Sequence, residues 1–140
     1  NYRINPKAYG IKAFDLGGHG SVEPVAISNP NKINLIAYAV RNTGNLFVTV
    51  INKEHGSCAR KAKVTIVSNI ISKHIEVMFL TGKVAAKTGV TLGGSSIGSD
   101  GSWFGKWTPL KMDKDGQCVV KVPAASAAIV KLRLMSRAAA

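Results

Sequence analysis

Acidic side chains are scarce in this chain: 7 Asp and Glu stand against 19 Lys and Arg in 140 residues, a formal charge of +12. The scarcity leaves few candidates for chemistry that needs two positioned carboxylates, as glycoside hydrolysis does with its pair roughly 5–10 Å apart. Asp100, Asp113 and Asp115 lie in turn sequences, where a short carboxylate caps backbone N–H groups, and Glu23, Glu54 and Glu76 are isolated. His19 sits in a glycine-rich turn, His55 follows Lys53-Glu54 and His74 opens a strand pattern, with no metalloprotease spacing among them. Ser21 in Gly18-His19-Gly20-Ser21 is not a nucleophile elbow, and Gly93-Gly94 is followed by neither a Lys-Ser/Thr pair nor a helix, so no phosphate loop is expected.

Cysteine is almost as rare. Cys58 and Cys118 are too far apart for metal-ligand spacing and too few for a disulfide framework, so no metal and no cofactor are expected. They form either one bridge between a turn and a strand, in an exported protein, or two free and partly buried thiols; the sequence leaves both open. No apolar run approaches the roughly 18 residues of a membrane span, and the first residues lack the basic-then-apolar pattern of a signal peptide. Any export signal of a parent protein would therefore lie outside this sequence.

What is present is a globular composition, 46% apolar and 19% charged, long enough for one domain with its own core. The apolar residues recur with the period of strands. Segments 21–27, 33–41, 46–52, 62–67, 75–80, 117–122 and 128–134 are short and rich in Val, Ile or aromatic residues. Turn chemistry separates them: Asn29-Pro30-Asn31, Asn42-Thr43-Gly44-Asn45, His55-Gly56-Ser57, Asp100-Gly101 and Asp113-Lys114-Asp115-Gly116. The pattern predicts an all-β antiparallel sandwich of about seven to nine strands. Two segments could be helical, 84–88 and 6–16, the latter ending at Gly17-Gly18 as helices often do. The expected organisation is a helical or extended lead-in over residues 1–20, a sandwich over 21–135, and a tail or cloning scar at 136–140.

Residues 89–107 combine glycine punctuation with the only two tryptophans. Glycines at this density admit positive φ and close approach, and Trp supplies large apolar area with one polar edge, which suits an interface or a sugar platform. Three residues intervene between Trp103 and Trp107, a spacing read as placing them on opposite strand faces unless a bulge falls at Gly105. The segment is therefore expected to be an interior-and-interface hairpin turning at Asp100-Gly101, with Trp103, Phe104 and Trp107 as candidate contact residues and core burial of at least one Trp as the alternative.

The positive charge would attract polyanions. Most basic residues are scattered along strand-like segments, where solvated faces explain them, and the one cluster is Arg60, Lys61 and Lys63 beside a turn. No recognition helix or RNA-binding signature accompanies them, so nucleic acid is not an expected partner. The alternative function this charge allows is binding of acidic polysaccharide, with Arg60, Lys61, Lys63, Lys83, Lys87 and Lys106 neutralising carboxylates or sulfates.

Certain stretches carry a resemblance. Residues 9–14 (Tyr9-Gly10-Ile11-Lys12-Ala13-Phe14), 34–40 (Asn34 to Val40), 46–56 (Leu46 to Gly56), Gly89-Val90-Thr91-Leu92-Gly93-Gly94 with Asp100-Gly101-Ser102-Trp103, and 122–130 (Val122 to Val130) resemble, in this order, the C-terminal β-domain of glycoside hydrolase family 79, the β-glucuronidase and heparanase-like enzymes. The similarity spans nearly all of residues 9–134. It implies a sandwich packed on a (β/α)8 barrel that holds the sugar pocket and two catalytic glutamates, in an extracellular or periplasmic enzyme. Enzymes of that clan usually place the acid/base in an Asn-Glu dipeptide at a barrel strand end, and no Asn here precedes Glu, so no catalytic residue carries over. The resemblance further implies that residues 1–16 end the last barrel segment. It implies too that a strand from the N-terminal end of the full chain completes the sandwich, leaving an edge open in this one. The expected role is a non-catalytic accessory domain, not itself an enzyme, whose partner is the barrel of the same parent chain.

Overall fold

The computed structural model describes residues 3–69, 72, 74–83, 87–115 and 117–134. One helix precedes nine strands: α1 (Pro6–Gly17), β1 (Ser21–Glu23), β2 (Leu35–Arg41), β3 (Asn45–Asn52), β4 (Ala62–Val67), β5 (Ile75–Thr81), β6 (Thr91–Leu92), β7 (Thr108–Leu110), β8 (Gln117–Val122) and β9 (Ser126–Arg133). The lead-in is helical. Asn5 caps α1 by accepting from Lys7 N at 3.0 Å, and Pro6 stands in the first turn, where its missing N–H is no loss. All seven expected strands form, and every ladder is antiparallel. β1 stops at Glu23 because Pro24 cannot donate to a ladder. For the helix expected over 84–88, residues 84–86 lie outside the described ones, and Lys87 and Thr88 form a bend.

The large sheet runs β1-β2-β3-β9-β5-β6, with β7 also on β5. Its middle strands, β3 and β9, are buried almost throughout and read in sequence as continuous apolar runs, the mark of strands covered on both faces. The small sheet is β4 with β8, and both alternate buried with exposed residues, the mark of one covered face. Ala62, Cys118, Val120 and Val122 of the small sheet meet Leu46, Val48, Val50, Ala128, Val130 and Leu132 of the large one to make the main core. Among the described residues neither β4 nor β8 has a second strand partner.

The opposite face of the large sheet has its own cover. Alternation turns Phe47, Thr49, Met78 and Ile129 to that side, where α1 packs over β3, β5, β6 and β9. Gly17 marks the closest approach: a Cβ there would lie 2.8 Å from Ile129 Cγ2. Asn52, buried at the end of β3, ties the layers by donating Nδ2 to Val122 O of the small sheet (3.1 Å) and to Arg60 O (2.9 Å), while its Oδ1 accepts from Glu54 N (3.0 Å).

Candidate functional site

The Gly-Trp segment folds as a second cover beside α1. β6 pairs Leu80 with Leu92 and Thr81 with Thr91, after which Gly93 (φ 61°) and Gly94 (φ 76°) reverse the chain in conformations few other residues adopt readily. The returning strand lies directly on this turn, since Lys106 N donates to Gly93 O at 3.1 Å. Trp103 folds over Gly105, leaving no room there for a Cβ, and its Nε1 donates to Leu92 O at 2.9 Å. The expected turn at Asp100-Gly101 is present: Asp100 accepts from the backbone and the hydroxyl of Ser102 (3.0 and 2.6 Å), and these bonds hold its carboxyl below the usual carboxylate range.

Both tryptophans, themselves half-buried, pack against one buried apolar cluster of Tyr9, Met78 and Leu92. The expectation of opposite faces does not hold. The two residues are four positions apart, an even spacing that returns an extended chain to the same face. Trp107 meets Phe47 (centroids 6.5 Å apart), and Lys131, paired to Glu76 at 3.4 Å, lies 4.2 Å from its ring centre. Lys12 of α1 sits 5.4 Å from the ring centre of Trp103, and the Tyr9 hydroxyl accepts from Ile97 N at 2.9 Å. Of the three aromatic contact candidates, Phe104 alone is largely exposed, at 78%.

The six basic candidates do not form one patch. Lys61 and Lys63 are exposed beside and on β4, whereas Lys106 belongs to the segment covering the other side of the large sheet. Lys83 and Lys87, both exposed, flank the undescribed residues 84–86. Arg60 is engaged internally: Nε donates to Glu54 (2.6 Å), and Nη1 and Nη2 donate to the carbonyls of Asn31 (2.7 Å) and Lys32 (3.1 Å). The hydrogen bond from Arg60 holds Glu54 below the usual carboxylate range and raises Arg60 in turn. Lys121, which carries no sequence signal of its own, stands directly across from Lys63. Cross-strand register reveals it, and register is not written in either strand alone.

Two further acids are also taken up locally. Asp15 pairs with His19 (3.1 Å) and Lys12 (3.9 Å), and Asp113 accepts from Asp115 N and Gln117 N, each at 2.9 Å. Among the described residues no group of three or more His, Cys, Asp and Glu could hold a metal ion. An open cleft of about 500 Å³ lies where the start of α1 meets the ends of β3, β5 and β9, lined in part by Gly10, Ile51, Leu80, His55 and Lys83. No carboxylate among the described residues lines it. Cys58 is exposed and Cys118 buried, both as free thiols, and burial pushes the Cys118 thiol up, with the Asp113 charge adding to the shift.

The chain is thus a two-layer antiparallel sandwich with a helix on the outer face of its large sheet, the architecture of an all-β domain. The model of the glycosyl hydrolase family 79 C-terminal beta domain matches residues 37–129, and the chain belongs to this family. A search of curated protein sequences finds no match. Solved structures share the fold. A GH30 endoxylanase from Clostridium papyrosolvens C71 superposes with a TM-score of 0.60 at 12% identity, over 93% of this chain and 28% of that one. CelM2, a bifunctional glucanase-xylanase from a metagenome library, gives 0.54 at 19% identity, over 83% and 19% of the respective chains. A 4-O-α-L-rhamnosyl-β-D-glucuronidase from Fusarium oxysporum 12S gives 0.53 at 17%, over 79% and 26%. The chain thus spans between 19% and 28% of the length of these structures. No helix among the described residues is long and apolar enough to cross a membrane.

Proposed function

We propose that this chain is a non-catalytic accessory domain of a β-glucuronidase- or heparanase-like retaining glycoside hydrolase, and that it packs on and stabilises the enzyme's (β/α)8 barrel. The observation that carries the reading is a hydrolase β-domain fold in which five of the seven carboxylates, Asp15, Glu54, Glu76, Asp100 and Asp113, cap turns or pair with Lys, Arg and His. Paired acids across an open cleft, the requirement of glycoside hydrolysis, have no counterpart in the cleft at the start of α1. The unpartnered edges of β4 and β8 suit a strand contributed by another part of the parent chain, which would remove an otherwise exposed edge. The test is to incubate the purified chain with a chromogenic β-glucuronide. No release above a protein-free blank is expected, and release proportional to chain concentration would overturn the non-catalytic assignment.

A second reading, binding of acidic polysaccharide, draws support from Lys63 and Lys121, exposed like charges in direct cross-strand register. An anion between them would relieve their repulsion. This reading predicts retention on heparin that falls steeply with salt and weakens in the Lys63→Gln, Lys121→Gln double variant. Retention unchanged by that variant leaves only general basicity.

A further inference from the structure

Exposed apolar side chains are concentrated on one part of this molecule. Of the nine large hydrophobic residues exposed among the described ones, six fall within residues 11–36: Ile11, Phe14, Val22, Val25, Ile27 and Ile36. Register places Val22 opposite Val40, and alternation along β2 puts Ile36 on the same side as Val40. This is the face of the large sheet that α1 covers, but α1 packs mainly over β3, β5, β6 and β9, and on the β1–β2 half Val22 and Ile36 stay exposed while Val40 is buried. Phe14 is two positions from Lys12, which reaches Trp103, and at about 3.6 residues per turn that puts Phe14 on the opposite flank of the helix. There it meets His19 (centroids 6.2 Å apart) at the junction where the chain turns into β1. The chain therefore runs from the exposed apolar flank of the helix, through the Phe14–His19 contact, directly into β1 with its exposed Val22.

We propose that this surface, formed by Ile11 and Phe14 of α1, Val22 of β1 and Ile36 of β2, is where the domain docks on the catalytic barrel of its parent chain. The proposal rests on the accessory-domain reading above and adds the face that makes the contact. Two observations select the barrel as occupant. The three solved structures compared above have more than seven tenths of their length outside the matched region, so each carries a large neighbour in the same chain. α1 is apolar on both sides, with Tyr9, Ala13 and Leu16 turned to the sandwich and Ile11 and Phe14 turned away, the pattern of a helix covered on both sides. By contrast Trp103 and Trp107 are occupied inside the domain.

Thiol labelling in the full-length enzyme tests the proposal. In a Cys58→Ser background, single variants Phe14→Cys, Val22→Cys and Ile36→Cys are compared with Val67→Cys and Phe104→Cys, all positions exposed in this chain. The expected result is labelling slowed about tenfold or more at 14, 22 and 36 relative to 67 and 104, because only those sites must await local opening. Protection at 104 with free labelling at 14, 22 and 36 overturns this face but leaves docking intact. Uniformly fast labelling at all five sites overturns docking itself. Protection that fades on dilution identifies a second copy as the occupant and overturns the barrel. Amide hydrogen exchange of the unsubstituted enzyme over residues 6–36 provides a reading free of substitutions, and exchange there no slower than in the isolated chain counts against the proposal.

Discussion

The side-chain amide of Asn52 donates to the carbonyl of Val122 at 3.1 Å, a bond between the two sheets at a position only 1% exposed. The same amide serves Arg60 O and Glu54 N, so one buried side chain closes the end of β3, the loop before β4 and the end of β8. Replacing it with Ala leaves buried backbone groups without partners, and the expected cost is about 1–3 kcal/mol. Asn52→Asp should cost more, since a carboxylate cannot donate to either carbonyl and brings a charge into the core. Urea unfolding of the two variants checks both magnitude and order.

Two glycines of α1 should respond to alanine in opposite directions. Gly10 is exposed, and a methyl group there would have open space for 4 Å around it, so Gly10→Ala should stabilise the isolated chain by about 0.5–1 kcal/mol through helix propensity. At Gly17 the added methyl meets Ile129 Cγ2 at 2.8 Å in a packed layer, and overpacking of this kind costs about 1–3 kcal/mol. Thermal melts of the two variants decide the matter, and equal shifts would contradict the placement of α1 on the sheet.

The cysteines give a direct count. A thiol reagent should titrate one group in the folded chain, Cys58, and two after unfolding, when Cys118 leaves the core. Burial raises the Cys118 thiol in the folded state, so between its unfolded and folded values the native state holds the extra proton. Its contribution to stability is therefore present below the ordinary thiol value and is lost as pH rises from that value through the raised one. Cys118→Val should flatten that alkaline loss relative to the unsubstituted chain.

Glu54 and Arg60 act at the other end of the pH scale. Arg60 lowers the Glu54 carboxyl, so the pair's contribution is present above the ordinary carboxylate value and is lost as pH falls through the lowered one. Arg60→Gln should reduce this acid sensitivity. It should also loosen residues 31–32, whose carbonyls the guanidinium holds, and faster amide exchange around Ile33 and Asn34 would show it.

Much of the fold was legible because its signals are local. Seven strands follow from short runs of Val and Ile, and Asn42, Asp100 and Asp113 cap the turns that their sequences suggest. β6 and β7 left no such signal, because two and three residues carry no period. The arrangement of the candidate surfaces was not legible, because it depends on pairing between distant residues: Lys63 with Lys121, and Trp103 with Leu92 O beneath α1. Arg60 looked like a free cation in a basic cluster, and only the folded loop brings Asn31, Lys32 and Glu54 within its reach. The apolar outer side of α1 was visible as Ile11 and Phe14 between Tyr9 and Leu16, but its meaning required knowing which side the sandwich already occupied.

If this domain works by packing on a catalytic barrel, the two must unfold together. Calorimetric unfolding of the full-length enzyme tests this most directly, beside the isolated domain and the isolated barrel. Packing of the proposed kind predicts a single cooperative transition at a higher temperature than either part alone. Two separate transitions, at the temperatures of the isolated parts, would contradict it.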